Sequence, residues 1–338
     1  MLRFGVIGCG YICHVHVNDI VNNLHGAKIT AIYDVNKKSA EQVISEFKLG
    51  IQPSNSIDEL IESPEVDAVL VFSKNDTHTE PILKSLAADK PVFTEKPLAT
   101  TVEEAKQIVD AEVKKGKRLI QVGFMRRYDP YYQELKQTID KGEIGAPLLG
   151  YCRHFAPAPP NDYYKTSDVI NDTFVHEISV ISWLFNDEYQ SVQVQYARPN
   201  STNTASELQE PQVATLKLKN GAIINTYLNI NSHYGYEVKC QVIGETGIAE
   251  LPDMPSTRIH KDEKIYNSVP IESGGRFAKA FQLEFQDFID HVSKGEEPTG
   301  PSAWTGYMAA ITCAKATESL QTNQVVDINF GEQPDIYK

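Results

Sequence analysis

Short apolar runs alternate with amphipathic stretches through the first third of the chain, the pattern of a parallel sheet covered by helices. Strands are predicted at 4–7, 28–33, 66–72, 91–94 and 118–122, with helices at 11–24, 36–47, 56–62, 79–88 and from Thr101 onward. Apart from Asp67 the run 66–72 is apolar, as suits a strand buried on both faces. Pro81 falls near the start of its helix, where a missing N–H costs little. Thr101 stands at capping-box spacing from Glu104, and Lys115-Gly116-Lys117 supplies the stop for that helix. These elements make a doubly wound α/β unit expected over residues 1–122.

Beyond residue 122 the pattern changes. A helix at 131–141 precedes a strand at 148–154, a long proline-rich loop at 156–165 and a helix at 172–185. Strands follow at 190–197, 212–218, 222–231 and 237–243, and Asn220-Gly221 between two of them is a hairpin signal, so an open, mostly antiparallel sheet is expected. Phe277, Phe281, Phe285, Phe288 and Val292 recur in steps of three and four, which predicts an amphipathic helix over 276–293 whose aromatic stripe is packing surface. A helix around 302–321 completes an α+β second domain over 123–338, its last helix able to return to the first domain.

Composition narrows the partners. The chain has 338 residues, long enough for two domains that each bury a core, and 45 acidic against 32 basic residues give a net charge of -13. That field repels phosphate backbones and anionic bilayers, so neither nucleic acid nor membrane is an expected partner. No run approaches the roughly 18 apolar residues of a membrane span. Cys9, Cys13, Cys152, Cys240 and Cys313 are odd in number and unclustered, which indicates neither a disulfide framework nor a zinc site and fits a reducing cytoplasm. The start, Met1 running straight into Leu2-Arg3-Phe4, carries no signal-peptide pattern.

The candidate chemistry begins at Gly8-Cys9-Gly10-Tyr11-Ile12-Cys13, between the first strand and the first helix. Gly8 permits a tight turn and Gly10 lets a pyrophosphate approach the helix N-terminus, where unpaired N–H groups favour anions. The third glycine of the fingerprint is replaced by Cys13. Asp34, at the end of the second strand, has about the spacing of the acidic residue that accepts ribose hydroxyls; the alternative is a cap on the following helix. Its carboxylate favours NAD, with NADP a weaker alternative because Lys37 and Lys38 are close by. Ligands of an open parallel sheet bind at the carboxyl ends of its strands, which singles out the loops 73–78 and 94–98.

Glu95-Lys96-Pro97, Ser73-x-Asn75-x-x-His78 and the fingerprint together resemble the Gfo/Idh/MocA oxidoreductase family. The segments 123–130, 172–178, Tyr234-Gly235-Tyr236 and 300–304 are similar to its inositol 2-dehydrogenase branch, with only 256–273 unlike that pattern. The resemblance implies a Rossmann domain followed by an open-sheet domain whose outer face makes a tetramer, and reversible oxidation of a secondary ring alcohol by a nicotinamide cofactor. It carries the cofactor contacts onto Gly8, Gly10, Tyr11, Ile12, Asp34, Ser73, Asn75, His78, Glu95 and Lys96, and the catalytic group onto Lys96, Asp172 and His176. Arg126, His154, Asp172, Thr173, His176 and Tyr234 offer donors and acceptors suited to a polyol's hydroxyls; the alternatives are that Arg126 serves the nicotinamide and that Tyr234 supports the sheet.

The chemistry of those residues agrees with that assignment. Alcohol oxidation needs a base near neutral pH, and imidazole supplies one at His176. Asp172, four residues earlier, shares a helical face with it, and Lys96 can stabilise developing alkoxide character. An Asp/His pair at this spacing could also be half a metal site, but no third ligand clusters with it, so no metal is expected. Where the branch has an Asn that reads the polyol, this chain has Ala156, which leaves the stereoisomer open. An aldose dehydrogenase or a non-catalytic dinucleotide-sensing regulator on the same fold are the competing expectations.

Overall fold

In a computed structural model of the chain, residues 1–159, 164–199, 201, 208–253 and 256–338 are described. They form two units. The first contains β1 (Leu2–Ile7), α1 (Tyr11–Asn22), β2 (Ala27–Tyr33), α2 (Lys37–Glu46), α3 (Ile57–Glu62), β3 (Ala68–Val71), α4 (Thr79–Ala87), β4 (Val92–Glu95), α5 (Val102–Lys115) and β5 (Ile120–Gly123). Its five strands lie in the order β2-β1-β3-β4-β5, all parallel, and β3, β4 and β5 are buried along their whole length.

The local signals act as their chemistry requires. Thr101 Oγ1 accepts from Glu104 N at 3.2 Å and Gly116 closes α5 at φ 71°. Asn36 caps α2 and Ser56 caps α3. Strand β3 is shorter than the apolar run that announces it, since Val66 N turns back to Ser63 O at 3.2 Å.

The second unit contains α6 (Pro130–Asp140), β6 (Pro147–Phe155), α7 (Thr166–Asp168), α8 (Val175–Phe185), β7 (Tyr189–Tyr196), β8 (Gln212–Leu218), β9 (Ile223–Asn229), β10 (Glu237–Gly244) and β11 (Ile248–Glu250). A small hairpin, β12 (Arg258–Lys261) with β13 (Lys264–Asn267), follows, then α9 (Ser273–Val292), α10 (Ala303–Thr322) and β14 (Val326–Asp327). The large sheet runs β11-β10-β6-β9-β8-β7-β14, antiparallel except where β6 meets β9 in parallel. Asn220-Gly221 makes the expected turn, with Leu218 N donating to Ala222 O at 2.9 Å and Gly221 at φ 95°.

Two expectations need correction. The units are not two contiguous segments: the first takes Met1–Met125, Phe281–Ala310 and Phe330–Lys338, and the second Arg126–Ala280 and Ile311–Asn329. Both α9 and α10 contribute to each unit, and an unbroken helical periodicity carries no mark of such a division. The helix expected at 172–185 begins earlier, with α7 leading through a π-helical segment, Val169–Phe174, into α8. Of the proline-rich loop at 156–165, residues 160–163 lie outside the described residues.

The aromatic stripe packs as its period predicts. Phe285, Phe288, Ile289 and Val292 join Phe4, Val6, Ile32, Leu70 and Phe93 in the core of the first unit, with Phe93 and Phe285 centroids 4.1 Å apart. Among the described residues no helix is long and apolar enough to cross a membrane.

Candidate active site

The fingerprint turn is built around two glycines with different jobs. Gly8 sits at φ 96°, and a Cβ there would lie 2.3 Å from Ser73 N, so the backbone that follows β3 excludes any side chain. Gly10 caps α1 without a side-chain hydrogen bond, and a Cβ added to it would meet nothing within 4 Å. Room beside an uncapped helix N-terminus is what a pyrophosphate needs. Cys13 occupies the third glycine's place inside the core, and its thiol is pushed up by the neighbouring Cys9 thiol and by burial, so it is inert. Tyr11 is exposed and Ile12 half-buried beside this turn.

Asp34 closes the same turn. Its Oδ2 accepts from Cys9 N at 2.8 Å and its Oδ1 from Asn36 N at 2.7 Å, while the cap of α2 is Asn36. The half-buried carboxylate therefore orders the fingerprint backbone and keeps further acceptor capacity for a ribose. The residues fit a dinucleotide.

The other two loops are tied together from within. His78 is buried, with Nδ1 2.8 Å from Pro97 O and Nε2 3.0 Å from Ser73 O, and burial pushes its pKa down. Ser73 Oγ accepts from Thr77 Oγ1 at 2.9 Å across the single turn that holds Asn75. Glu95 is also buried: Oε1 lies 2.7 Å from His16 Nε2 and Oε2 accepts from Lys96 N at 3.1 Å. His78 and Glu95, expected as cofactor contacts, thus have partners inside the first unit and hold in place the loops that carry Ser73, Asn75 and the half-buried Lys96.

In the second unit four of the remaining expected residues gather on one helical stretch and one strand. Asp172 lies in the π-helical segment and His176 in the first turn of α8, both half-buried. Four residues amount to nearly one turn in either geometry, so the two side chains share a face. Thr173 Oγ1 is 3.0 Å from Tyr164 Oη, which also donates to Asp172 Oδ2 at 3.3 Å. His154, from β6, brings its ring centroid to 6.1 Å from that of His176.

Two expected polyol contacts sit differently. Arg126 is fully buried, pairs with Glu177 Oε1 and places Nη2 3.0 Å from His154 Nδ1. Tyr234 is half exposed and donates to Glu237 Oε2 at 2.5 Å, whereas Tyr236 meets the His154 ring edge-on at 5.3 Å. Gly235 between them adopts φ 152°, which breaks the alternation that would treat the two tyrosines alike. Among the described residues no group of three His, Cys, Asp or Glu side chains could hold a metal ion.

Residues 2–124 match the model of an oxidoreductase family with an NAD-binding Rossmann fold, and residues 136–328 match that family's C-terminal alpha/beta domain. The chain belongs to the Gfo/Idh/MocA oxidoreductase family. This Gfo/Idh/MocA chain is 41% identical over 341 residues to an inositol 2-dehydrogenase/D-chiro-inositol 3-dehydrogenase of Lacticaseibacillus casei, across 100% of this chain and 98% of the relative. It is 42% identical over 338 residues to an inositol 2-dehydrogenase of Agrobacterium fabrum, across 100% and 99% of the two chains. A crystal structure of myo-inositol dehydrogenase from Lactobacillus casei in complex with NAD(H) and myo-inositol superposes with a TM-score of 0.98 at 41% identity, over the whole of both chains.

Sequence reasoning missed Glu177 and His16 in this Gfo/Idh/MocA chain. Glu177 is buried beside Arg126; burial opposes its ionisation, and the Arg126 guanidinium leads the interactions that hold the carboxyl below its usual range. His16 lies on α1 among Phe72, Phe281 and Phe285. Neither has a local signal, since each partner is far away in the chain.

Proposed function

We propose that this chain is an NAD-dependent dehydrogenase of cyclitols, oxidising myo-inositol or a stereoisomer to the corresponding inosose. The observation that carries the reading is the full-length likeness to an enzyme in complex with NAD(H) and myo-inositol, in a chain whose Asp172 and His176 share one helical face beside His154. NAD, when bound, takes the hydride from the carbinol carbon. His176, as neutral imidazole, takes the hydroxyl proton as that hydride leaves, and later releases it to solvent. Lys96 donates a hydrogen bond to the reacting oxygen and stabilises its developing negative charge. Asp172 orients the imidazole or holds a neighbouring hydroxyl, and Thr173 and His154 read further hydroxyls. Gly8, Gly10, Tyr11, Ile12, Asp34, Ser73 and Asn75 receive the dinucleotide.

The assembly we infer is a homotetramer formed through the open face of the large sheet, where Leu149, Tyr151, Ile223 and Tyr227 are exposed. Five free, buried cysteines support work in a reducing cytoplasm.

The decisive experiment follows the absorbance of reduced nicotinamide with NAD or NADP across a panel of cyclitols and aldoses. Turnover of a cyclitol with NAD is expected, and His176→Ala and Lys96→Ala should each lower kcat by roughly 100- to 10,000-fold while NAD binding persists. Turnover of aldoses alone would overturn the substrate class, and near wild-type kcat in either variant would overturn that residue's role.

A further inference from the structure

A buried polar cluster of the second unit, Arg126, Glu177 and His154, adjoins the proposed substrate contacts. Arg126 presents Nη2 to His154 Nδ1 at 3.0 Å, and Glu177 Oε2 lies 3.3 Å from the same nitrogen. The two neighbours make opposite demands. A guanidinium only donates and never gives up its charge in proteins, so it asks Nδ1 for a lone pair; a carboxylate only accepts, so it asks Nδ1 for a proton. Arg126 is the nearer, and the charge of Glu177 is already met by Arg126 through its other oxygen. A carboxylate taking a proton from an imidazolium would sit closer, at about 2.7–2.9 Å.

We propose that Arg126 and Glu177 are positioning residues that lock His154 in the tautomer with its proton on Nε2, so that His154 donates to a substrate oxygen next to the one that reacts at His176. The tautomer follows from this cluster alone; the substrate half rests on the function proposed above. The two imidazoles then have opposite polarity: His176 takes a proton from one hydroxyl and His154 gives a hydrogen bond to its neighbour. A vicinal diol matches that pair, and its second oxygen need only accept. Tyr236, edge-on against the His154 ring, and Phe277, 5.5 Å from the Arg126 guanidinium, wall the cluster off from water, so its hydrogen-bond polarity is not averaged by solvent. Arg126 therefore influences the polyol through His154.

The test is a long-range ¹H–¹⁵N correlation spectrum of the full chain labelled at histidine nitrogens, with His154 identified by the signals lost in His154→Gln. At neutral pH the wild type should show His154 protonated at Nε2 and bare at Nδ1, with or without NAD. A proton on Nδ1, or on both nitrogens, overturns the proposal, and no substrate is needed to see it. In Arg126→Met the carboxylate of Glu177 becomes the partner of Nδ1, and the proton should move there, with kcat/KM for the best cyclitol falling about tenfold or more. An unchanged tautomer in a folded Arg126→Met protein would overturn the positioning role; if that variant does not fold, the wild-type spectrum still decides. Binding of cyclitols in which a neighbouring hydroxyl is replaced by fluorine or by hydrogen separates donor from acceptor, since fluorine accepts and does not donate. Weaker loss with fluorine is expected; equal loss at both neighbouring positions would remove the donor role. A chain that turns over no cyclitol but shows the Nε2–H tautomer would sink the proposed function and leave the tautomer assignment standing.

Discussion

The Cβ that Gly8 lacks would stand 2.3 Å from the backbone nitrogen of Ser73, in the loop after β3, while the Cβ that Gly10 lacks would meet no atom within 4 Å. One glycine is required by the fold; the other, in the proposed function, is required by the ligand. Gly8→Ala adds a left-handed backbone penalty of about 1–2 kcal/mol to a clash with main chain, and overpacking costs roughly another 1–3 kcal/mol. We expect a marked fall in Tm for Gly8→Ala. Gly10→Ala should keep the wild-type Tm and lose NAD affinity by tenfold or more, as read by titration calorimetry. Matching Tm values for the two variants would contradict this division of labour.

Asp34 accepts from the Cys9 amide and, in the proposed function, from a ribose hydroxyl as well. Losing a hydrogen bond to a charged group costs about 1.5–3 kcal/mol, so Asp34→Ala should lower kcat/KM for NAD roughly 10- to 100-fold and raise the ratio of NADP to NAD activity. Wild-type protein should favour NAD. If it uses NADP equally well, Lys37 or Lys38 is compensating and the assignment of Asp34 is incomplete.

Glu284 lies fully buried on α9, and among the described residues neither carboxyl oxygen has a hydrogen-bond partner. Burial, reinforced by Glu95 and Asp287, pushes its pKa well above the ordinary carboxyl range. A group that binds its proton more tightly folded than unfolded lowers stability as pH rises through the unfolded carboxyl's pKa, and the loss grows until the folded group itself ionises. Glu284→Gln should therefore match wild type in Tm near pH 4 and exceed it at pH 7. Each kcal/mol recovered is worth roughly 2–4 °C in a domain of this size. Parallel Tm profiles across that pH range would show that Glu284 does not carry this linkage.

Ala156 follows β6 directly, its N donating to Asn229 O at 2.8 Å and its O accepting from Ser232 N at 2.9 Å. The backbone is fixed at this point, so a longer side chain changes chemistry without moving the loop. Ala156→Asn should alter the ratio of kcat/KM between myo-inositol and its isomers by a few-fold to about tenfold, the worth of one polar contact. Unchanged ratios across the isomers would place this loop away from the substrate.

Much of the fold is written locally. The capping pair Thr101 and Glu104, the stop at Gly116 and the turn at Asn220-Gly221 are short-range chemistry, and each sits where the pattern puts it. The parallel contact of β6 with β9 is not local, and no residue in either strand announces its neighbour. The π-helical turn escapes a periodicity reading because a spacing of four between Asp172 and His176 suits both helix types. Among candidate site residues, those presented by a turn or a helix start carry a local signal, as at Gly8, Gly10 and His176. Those defined by a distant partner do not: Glu177 looks like any acidic residue on a helix until Arg126 is beside it, and His16 like any buried histidine until Glu95 is.

The first unit's core joins segments from the beginning and the last quarter of the chain, since Phe4 stacks on Phe288 with centroids 6.2 Å apart. During synthesis, the strands of residues 2–123 leave the ribosome long before the aromatic side chains that cover one face of them exist. A fragment ending at Met125 would hold the entire nucleotide fingerprint and still expose Phe93 where Phe285 belongs. The nucleotide-binding half is thus no portable cassette: a chimera that borrows it must also carry Phe281–Ala310 and Phe330–Lys338.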